Sequence, residues 1–379
     1  MNAQSPALSS NGDTIAPLVP PRSPAHDRAR ALTILRRHGR DVTSFQTLEP
    51  GISYFFDGPD AFIAYTDTGS AWVTAGGPVA PPERVAYVIR AFITAAKAAS
   101  RRVSFFALSS DVCEAAALPC TRIGVQPTWD PSAWSATLAR ASSLRYQVKR
   151  AAKKGVRVRR LHPLELAPGS HVRDQIAELA ARWQASQSLA PMGFLVELDP
   201  FSFARERMSF VAELDGRVVG FLGAVPIYAR SGWFFEDILR APDAPNGTTE
   251  LLLDHAMRLA ADDGAKIVSL GLAPLAGEVS APLRVSRELG RGLYDFRGLH
   301  AYKSKLAPSA WEPLLVAAAP GRSEWIALAD ALVAFARGSV LRFALETMLR
   351  PTNARLTRLA AAAAFAVAAS LVAVTMIAA

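Results

Sequence analysis

Hydrophobic positions recur in this chain with two different periods, and the two periods divide it into strands and helices. Apolar runs over 52–56, 61–65 and 71–74, separated by Asp57-Gly58-Pro59 and Asp67-Thr68-Gly69, predict three strands joined by turns. The loop Gly76-Gly77-Pro78-Val79-Ala80-Pro81-Pro82 leads to a helix over 83–99 with Val85, Val88, Ile89, Phe92, Ile93 and Ala96 on one face, and a strand over 103–108 follows. The second half repeats that order. Strands over 208–214 and 218–227 flank Asp215-Gly216, a third covers 233–239, and a Pro/Gly-rich loop precedes a helix over 249–260 and a strand over 266–270. The match predicts an α/β protein made by duplication of one unit, the first over 29–130, opening on a short basic helix at 29–38, and the second over 161–320.

The segment 131–160 joins the halves. Ser132, Trp134, Leu138, Leu144 and Val148 are spaced as a helix, and Arg140, Arg145, Lys149, Arg150, Lys153, Lys154, Arg157, Arg159 and Arg160 make it strongly basic. A one-signed run without acidic partners is either a solvated linker or a phosphate contact. A helix over 321–350 carries Trp325, Ile326, Leu328, Leu332 and Phe335, and either packs on the second unit or lies at a membrane interface.

Residues 1–28 are rich in Ser, Pro, Ala and Asn and predict a disordered leader. The 21 residues of 359–379 carry no charge, enough for one crossing by a helix of about 20 residues, and Arg350, Arg355 and Arg358 precede them. A membrane anchor at 357–379 is expected, with the arginines on the cytoplasmic side; since 11 of the 21 residues are alanine, the alternative is a packing helix.

With 379 residues, half of them hydrophobic, the chain has core for two domains, and its net charge of +9 suits a polyanionic partner, nucleic acid or anionic membrane. Cys113 and Cys120 have no CxxC or Cys/His company, so neither a metal site nor a disulfide is expected and a reducing compartment follows.

Candidate chemistry gathers at the tip of the strand over 233–239. Asp237 and Arg240 stand at its end, and Pro242 and Pro245 stop it. Asn246-Gly247 make a turn, with Thr248 or Thr249 as the helix cap, and such a turn offers N–H groups to an oxyanion or phosphate. Asp237 can bind an ammonium or act as a base, and Arg240 can hold a phosphate; the structural alternative is that the two pair with each other. Glu236 alternates to the other face, so only one of the two acids should line a site. No histidine has nucleophile or metal-ligand spacing, so covalent and metal chemistry are not indicated.

Several strings then occur in one order: Ser143-Leu144-Arg145, Met192-Gly193-Phe194, Asp237-Ile238-Leu239-Arg240, Ala244-Pro245-Asn246-Gly247-Thr248, Leu270-Gly271-Leu272-Ala273-Pro274-Leu275-Ala276-Gly277, Tyr294-Asp295-Phe296-Arg297-Gly298-Leu299, and Lys303-Ser304-Lys305 with Trp311-Glu312-Pro313. Over about 36–316 the chain thereby resembles the cytosolic C-terminal domain of the phosphatidylglycerol lysyltransferases, the multiple peptide resistance factor family. The resemblance implies two tandem GNAT-type units and transfer of a lysyl or alanyl group from aminoacyl-tRNA to a hydroxyl of phosphatidylglycerol or a related anionic lipid, with no cofactor. It implies catalytic roles for Asp237, Arg240 and Lys305, and substrate contacts for Glu236, Asn246, Gly247, Thr248, Lys303, Met192 and Gly193. Ser143, Arg145, Lys149 and Arg150 are the implied tRNA phosphate contacts. Departures from the family are expected in the large N-terminal multi-span region, which these residues do not include, in Asp295 where Asn is common, and in Leu306 where an aromatic is. The alternatives are an acyl-coenzyme A N-acyltransferase on the same fold, which the single glycine of the 246–248 turn disfavours, and a silent lipid- or RNA-binding module.

Overall fold

The computed structural model describes residues 23–187, 189–289 and 295–350. The first half holds α1 (Pro24–His38), a 3-10 turn over Val42–Leu48, β1 (Ser53–Phe56), β2 (Phe62–Asp67), β3 (Ala71–Ala75), α2 (Val85–Ala98), β4 (Arg102–Leu108), α3 (Ser110–Ala115) and β5 (Cys120–Trp129). Next come α4 (Trp134–Arg140), α5 (Ser142–Lys153), β6 (Arg157–Arg160) and α6 (His171–Ser186). The second half continues with β7 (Met208–Leu214), β8 (Arg217–Ile227), β9 (Gly232–Arg240), α7 (Thr248–Asp262), β10 (Ile267–Ser269), β11 (Ala273–Pro274), α8 (Ala281–Leu289), α9 (Phe296–Lys305), β12 (Ala310–Ala318), α10 (Glu324–Phe335) and α11 (Val340–Leu349).

Both halves show the repeated order: an antiparallel meander, a helical crossover, and a strand that returns parallel to the third strand. In the first half β3 pairs with β4 in parallel across α2, and in the second β9 pairs with β10 in parallel across α7. The halves form one continuous sheet in the order β1-β2-β3-β4-β12-β5-β10-β9-β8-β7-β6, with β11 on β5. Its centre is the antiparallel pair β5 and β12, and β12 comes from the far end of the chain to sit against β4. Apolar residues of both halves meet in one core, where Phe45 and Leu48 pack in the same cluster as Val225, Ile227 and Phe234.

Several expected elements have different limits, each for a backbone reason. The N-terminal helix starts at Pro24, five residues before position 29, because Ser23 caps it through the His26 N–H. The basic segment is two helices and an edge strand: Ala141 leaves the helical region at ψ 83°, and Gly155 at φ +87° turns the chain into β6. The 321–350 helix is likewise two, since Arg337 and Gly338 are both left-handed and no right-handed helix continues through them. Of the pair, α10 docks on the first half, where buried Asp330 accepts from Arg102 and Ser104.

Cys113 and Cys120 form a disulfide, with sulfurs 2.05 Å apart, which corrects the expectation of two free thiols. The turn after α3 reverses the chain and brings the two Cα atoms to 6.3 Å, inside bridging range. The expected anchor at 357–379 lies outside the described residues; among the described residues no helix is long and apolar enough to cross a membrane.

Candidate functional site

The site forms where β9 is irregular. Gly223 of β8 faces Asp237 while Ala224 faces Phe235, so Glu236 is an extra residue in β9. Such a bulge interrupts the strict alternation of faces. Glu236 and Asp237 therefore both reach one arginine, Arg207, which overturns the expectation that they part: its Nη1 lies 2.8 Å from Glu236 Oε2 and 3.7 Å from Asp237 Oδ2. Arg207 sits just before β7, held by the Ser202 carbonyl at 2.8 Å and stacked 5.6 Å from the Phe45 ring. All three charged side chains are at most 10% exposed.

The 3-10 turn of the first half closes this pocket from above. It supplies Phe45, Gln46, Leu48 and, immediately after, Glu49, while the loop before β7 supplies Glu197, Asp199, Ser202 and Phe203. Among them remains a void of about 10 Å³, the space of a single water. Carboxylates outnumber the one guanidinium. Burial pushes the Glu49 carboxyl up to about 9, with Glu236 and Glu197 adding repulsion. Burial also raises Asp237 well above the ordinary carboxyl range, Glu236 and Asp199 push it further, and Arg207 pulls it back. Asp237 Oδ2 is buried without a hydrogen-bond partner, while the backbone N–H groups of Glu197 and Leu195 temper the rise at Glu49. A buried polar atom without a partner is costly, so the Asp237 oxygen beside this acid-lined void marks a place suited to a donor.

The loop that walls the pocket is itself strained. Phe194, Leu195 and Phe203 are left-handed at φ +52°, +65° and +49°, conformations that cost a bulky residue about 1–3 kcal/mol each and cluster at functional sites. The C-terminal helices hold it. The Gly193 N–H donates to the Phe335 carbonyl, Phe194 packs edge-on to Phe335 and Arg337 reaches Glu197. Gly193 is thus buried against the end of α10 and its neighbour Met192 is half-buried, and neither lines the void.

Asp237 and Arg240 are not brought together. From 237 to 240 β9 is regular, so the two project from opposite faces of the sheet. Gly220, opposite Arg240, has α7 residues Leu252 and Thr248 over its Cα, whereas Gly223, opposite Asp237, faces the Phe221 ring. Arg240 donates to Asn246 Oδ1 at 3.2 Å and lies close to Glu250 and Tyr302, whose hydroxyl burial pushes up.

The turn expected to hold a phosphate is filled by protein. Gly247, at φ +95°, is the cap of α7 in place of a threonine, and a Cβ there would stand 2.1 Å from the Gln147 carbonyl oxygen of α5. Thr248 is fully buried and its hydroxyl donates to the Pro245 carbonyl. Lys303 is also committed. Its ammonium donates at 2.8, 2.9 and 2.9 Å to the carbonyls of Leu270, Gly271 and Leu272, which uses all three donors, and burial lowers its pKa to about 7. Lys305 is two residues further along helix α9, so it diverges and is exposed.

On α5, Arg145 caps α4 by donating to the carbonyls of Leu138 and Ala139. Ser143 and Lys149 are exposed and Arg150 is half-buried. Arg159 is bound by Glu165 and Glu213, and Arg160 faces Asp263. Arg140, Lys149, Arg150, Lys153, Lys154 and Arg157 have no carboxylate partner among the described residues. Sequence reasoning missed Arg207, Glu49, Glu197 and Asp199. Only Arg207, the charge next to an apolar strand, gave any signal, since an ion that close to a core needs a partner.

Comparison with known proteins agrees with this fold. Residues 32–318 match the family model described as phosphatidylglycerol lysyltransferase, C-terminal. A phosphatidylglycerol lysyltransferase of Bacillus subtilis is 27% identical over 160 residues, 40% of this chain, and the chain spans only 18% of that relative's length. A DUF2156 C-terminal domain from Agrobacterium fabrum superposes with a TM-score of 0.71 at 25% identity, covering 84% of this chain and 99% of that one. The structure of L-PGS from Bacillus licheniformis gives a TM-score of 0.69 at 17% identity, over 82% and 96% of the two chains, a likeness of fold. With the family model matched across most of its length, the chain belongs to the phosphatidylglycerol lysyltransferase C-terminal family.

Proposed function

We propose that this chain is an aminoacyltransferase that moves an aminoacyl group from aminoacyl-tRNA to a hydroxyl of phosphatidylglycerol or a related anionic lipid at the cytoplasmic membrane surface. The observation that carries the reading is the buried pair Glu236 and Asp237 on Arg207, with Glu49 beside them and Asp237 Oδ2 left without a hydrogen-bond partner. An aminoacyl ester presents an ammonium beside its reacting carbonyl, and buried acids that desolvation holds protonated ionise when such a cation arrives to pair with them. Asp237, which shares Arg207 with the void-lining Glu236, accepts from the ammonium and fixes the ester next to it. In the reaction the acceptor oxygen bonds to the ester carbonyl carbon, the bond from that carbon to the ribose oxygen breaks, and the acceptor's proton ends on the ribose oxygen.

Further features support the donor and the surface. The six cations from Arg140 to Arg157 that have no carboxylate partner among the described residues suit the phosphates of tRNA, with Ser143 beside them. Helix α11 exposes Leu341, Leu345 and Leu349 at four-residue spacing, 71%, 56% and 75% exposed, as an interfacial helix does, and leads toward the uncharged stretch from 359. The matching strand and crossover order supports two GNAT-type units, over about 29–130 and 161–320, around the connecting segment. The filled start of α7 counts against a coenzyme A pyrophosphate there. The test incubates the chain with radiolabelled aminoacyl-tRNA and phosphatidylglycerol vesicles. Label should move to lipid, and Asp237→Ala should lower the rate by about a hundredfold or more; an unchanged rate would remove the pocket from the reaction.

A further inference from the structure

A groove of about 700 Å³ lies beside the carboxylate pocket, between residues 163–173 and 199–206, within the range of about 300–1,000 Å³ usual for small-molecule sites. The two cavities share Asp199, Ser202 and Phe203, so the inner end of the groove is the outer wall of the pocket. Its floor is apolar, built by Leu164, Leu166 and Phe201, and Leu164 is 70% exposed at the rim.

Around that floor the cations are held but not neutralised. Arg173 stacks on Phe201 at 3.9 Å and donates to the Leu166 carbonyl. Arg28 stands 5.0 Å over the Phe203 ring and donates to the Leu48 carbonyl, and Arg205 is exposed. None of the three is paired with a carboxylate among the described residues. The acid at the outer end, Glu206, is already taken by Arg36 and the Tyr228 hydroxyl. Asp199, at the inner end, accepts the N–H groups of Phe201 and Ser202. Guanidiniums anchored on rings and carbonyls keep free N–H groups for an anion, and the apolar floor asks for hydrocarbon below it.

We propose that this groove seats the glycerophosphate head and first acyl methylenes of an anionic phospholipid, with the chains leaving over Leu164. This rests on the reading of the carboxylate pocket as the seat of the donor's ammonium. The acceptor hydroxyl then meets the ester at the shared wall of Asp199, Ser202 and Phe203.

The test measures binding of dihexanoyl phosphatidylglycerol below its micelle concentration to the full chain without donor, then turnover on phosphatidylglycerol vesicles. Wild type should bind it about tenfold more tightly than dihexanoyl phosphatidylcholine or inorganic phosphate, a difference of about 1.4 kcal/mol. Arg205→Glu and Leu164→Glu, both at exposed positions, should keep the wild-type melting temperature, weaken that binding about fivefold and raise the lipid KM by a like factor, with the donor KM unmoved. Wild-type binding by both variants would overturn the proposal. Inorganic phosphate binding as well as the lipid would reduce the groove to a plain anion site and overturn it too. Loss of lipid binding in the variants, with no label transferred by wild type, would uphold the groove and sink the transfer reading instead.

Discussion

Strand β9 carries opposite electrostatics on its two faces, three residues apart. On one face Asp237, with Glu236 brought round by the bulge, joins Glu49 over Arg207 in a dry, acid-rich pocket. On the other, Arg240 stands with Asn246 near α5, whose Lys149 and Lys153 are exposed and without a carboxylate partner among the described residues. Charge is cheap where water reaches it and expensive where it does not, so the exposed basic face tolerates repulsion while the pocket shifts its pKa values upward. The difference teaches that an aminoacyl-tRNA would be handled in two parts, its polyanionic body by a solvated surface and its small cationic end by a desolvated one.

Removing the single counter-ion of the pocket should break the comparison most severely. Arg207→Met leaves Glu236 and Asp237 buried without their partner, a loss of about 3–5 kcal/mol seen as a lower denaturation midpoint, together with loss of transfer; a midpoint within experimental error of wild type would mean the pocket is wet. Charge reversal on the opposite face should be milder and purely functional. Lys149→Glu with Lys153→Glu should raise the KM for aminoacyl-tRNA about tenfold and flatten its salt dependence, leaving stability alone. An unchanged salt slope would assign those cations to solvent.

The smallest effect is one of pH. Glu49 is raised in the fold to about 9 from an unfolded value near 4.5, so between those limits the folded chain binds more protons than the unfolded one. Its contribution to stability is whole below the unfolded value and is lost as pH rises toward about 9. Glu49→Gln should flatten the decline of melting temperature over that window; an equal slope in both proteins would place the titration elsewhere.

Much of the architecture was legible because it is local. The strands 208–214 and 218–227 and the crossover helices announce themselves in apolar periodicity and turn residues, which depend on near neighbours alone. Asp237 could be picked out as a charge at a strand end, but its company could not. The bulge at Glu236 depends on the register of β8, and Glu49, beside an ordinary Pro-Gly turn, enters the site only because the first half folds over the second. Lys303 shows the converse: conspicuous in the sequence, it spends its ammonium on three backbone carbonyls.

By itself, the sequence determined the repeated α/β order, the basic segment and the strand whose tip bears Asp237 and Arg240, since all of these follow from spacing and residue type along a few turns of chain. Only the tertiary structure decided that β5 and β12 weld the halves into one sheet, that Asp237 and Arg240 face apart, and that Arg207 gathers acids from distant segments. Pairing of strands far apart in sequence and burial of charge are set by the closing of long loops and by the exclusion of water, and neither leaves a periodic trace in the chain.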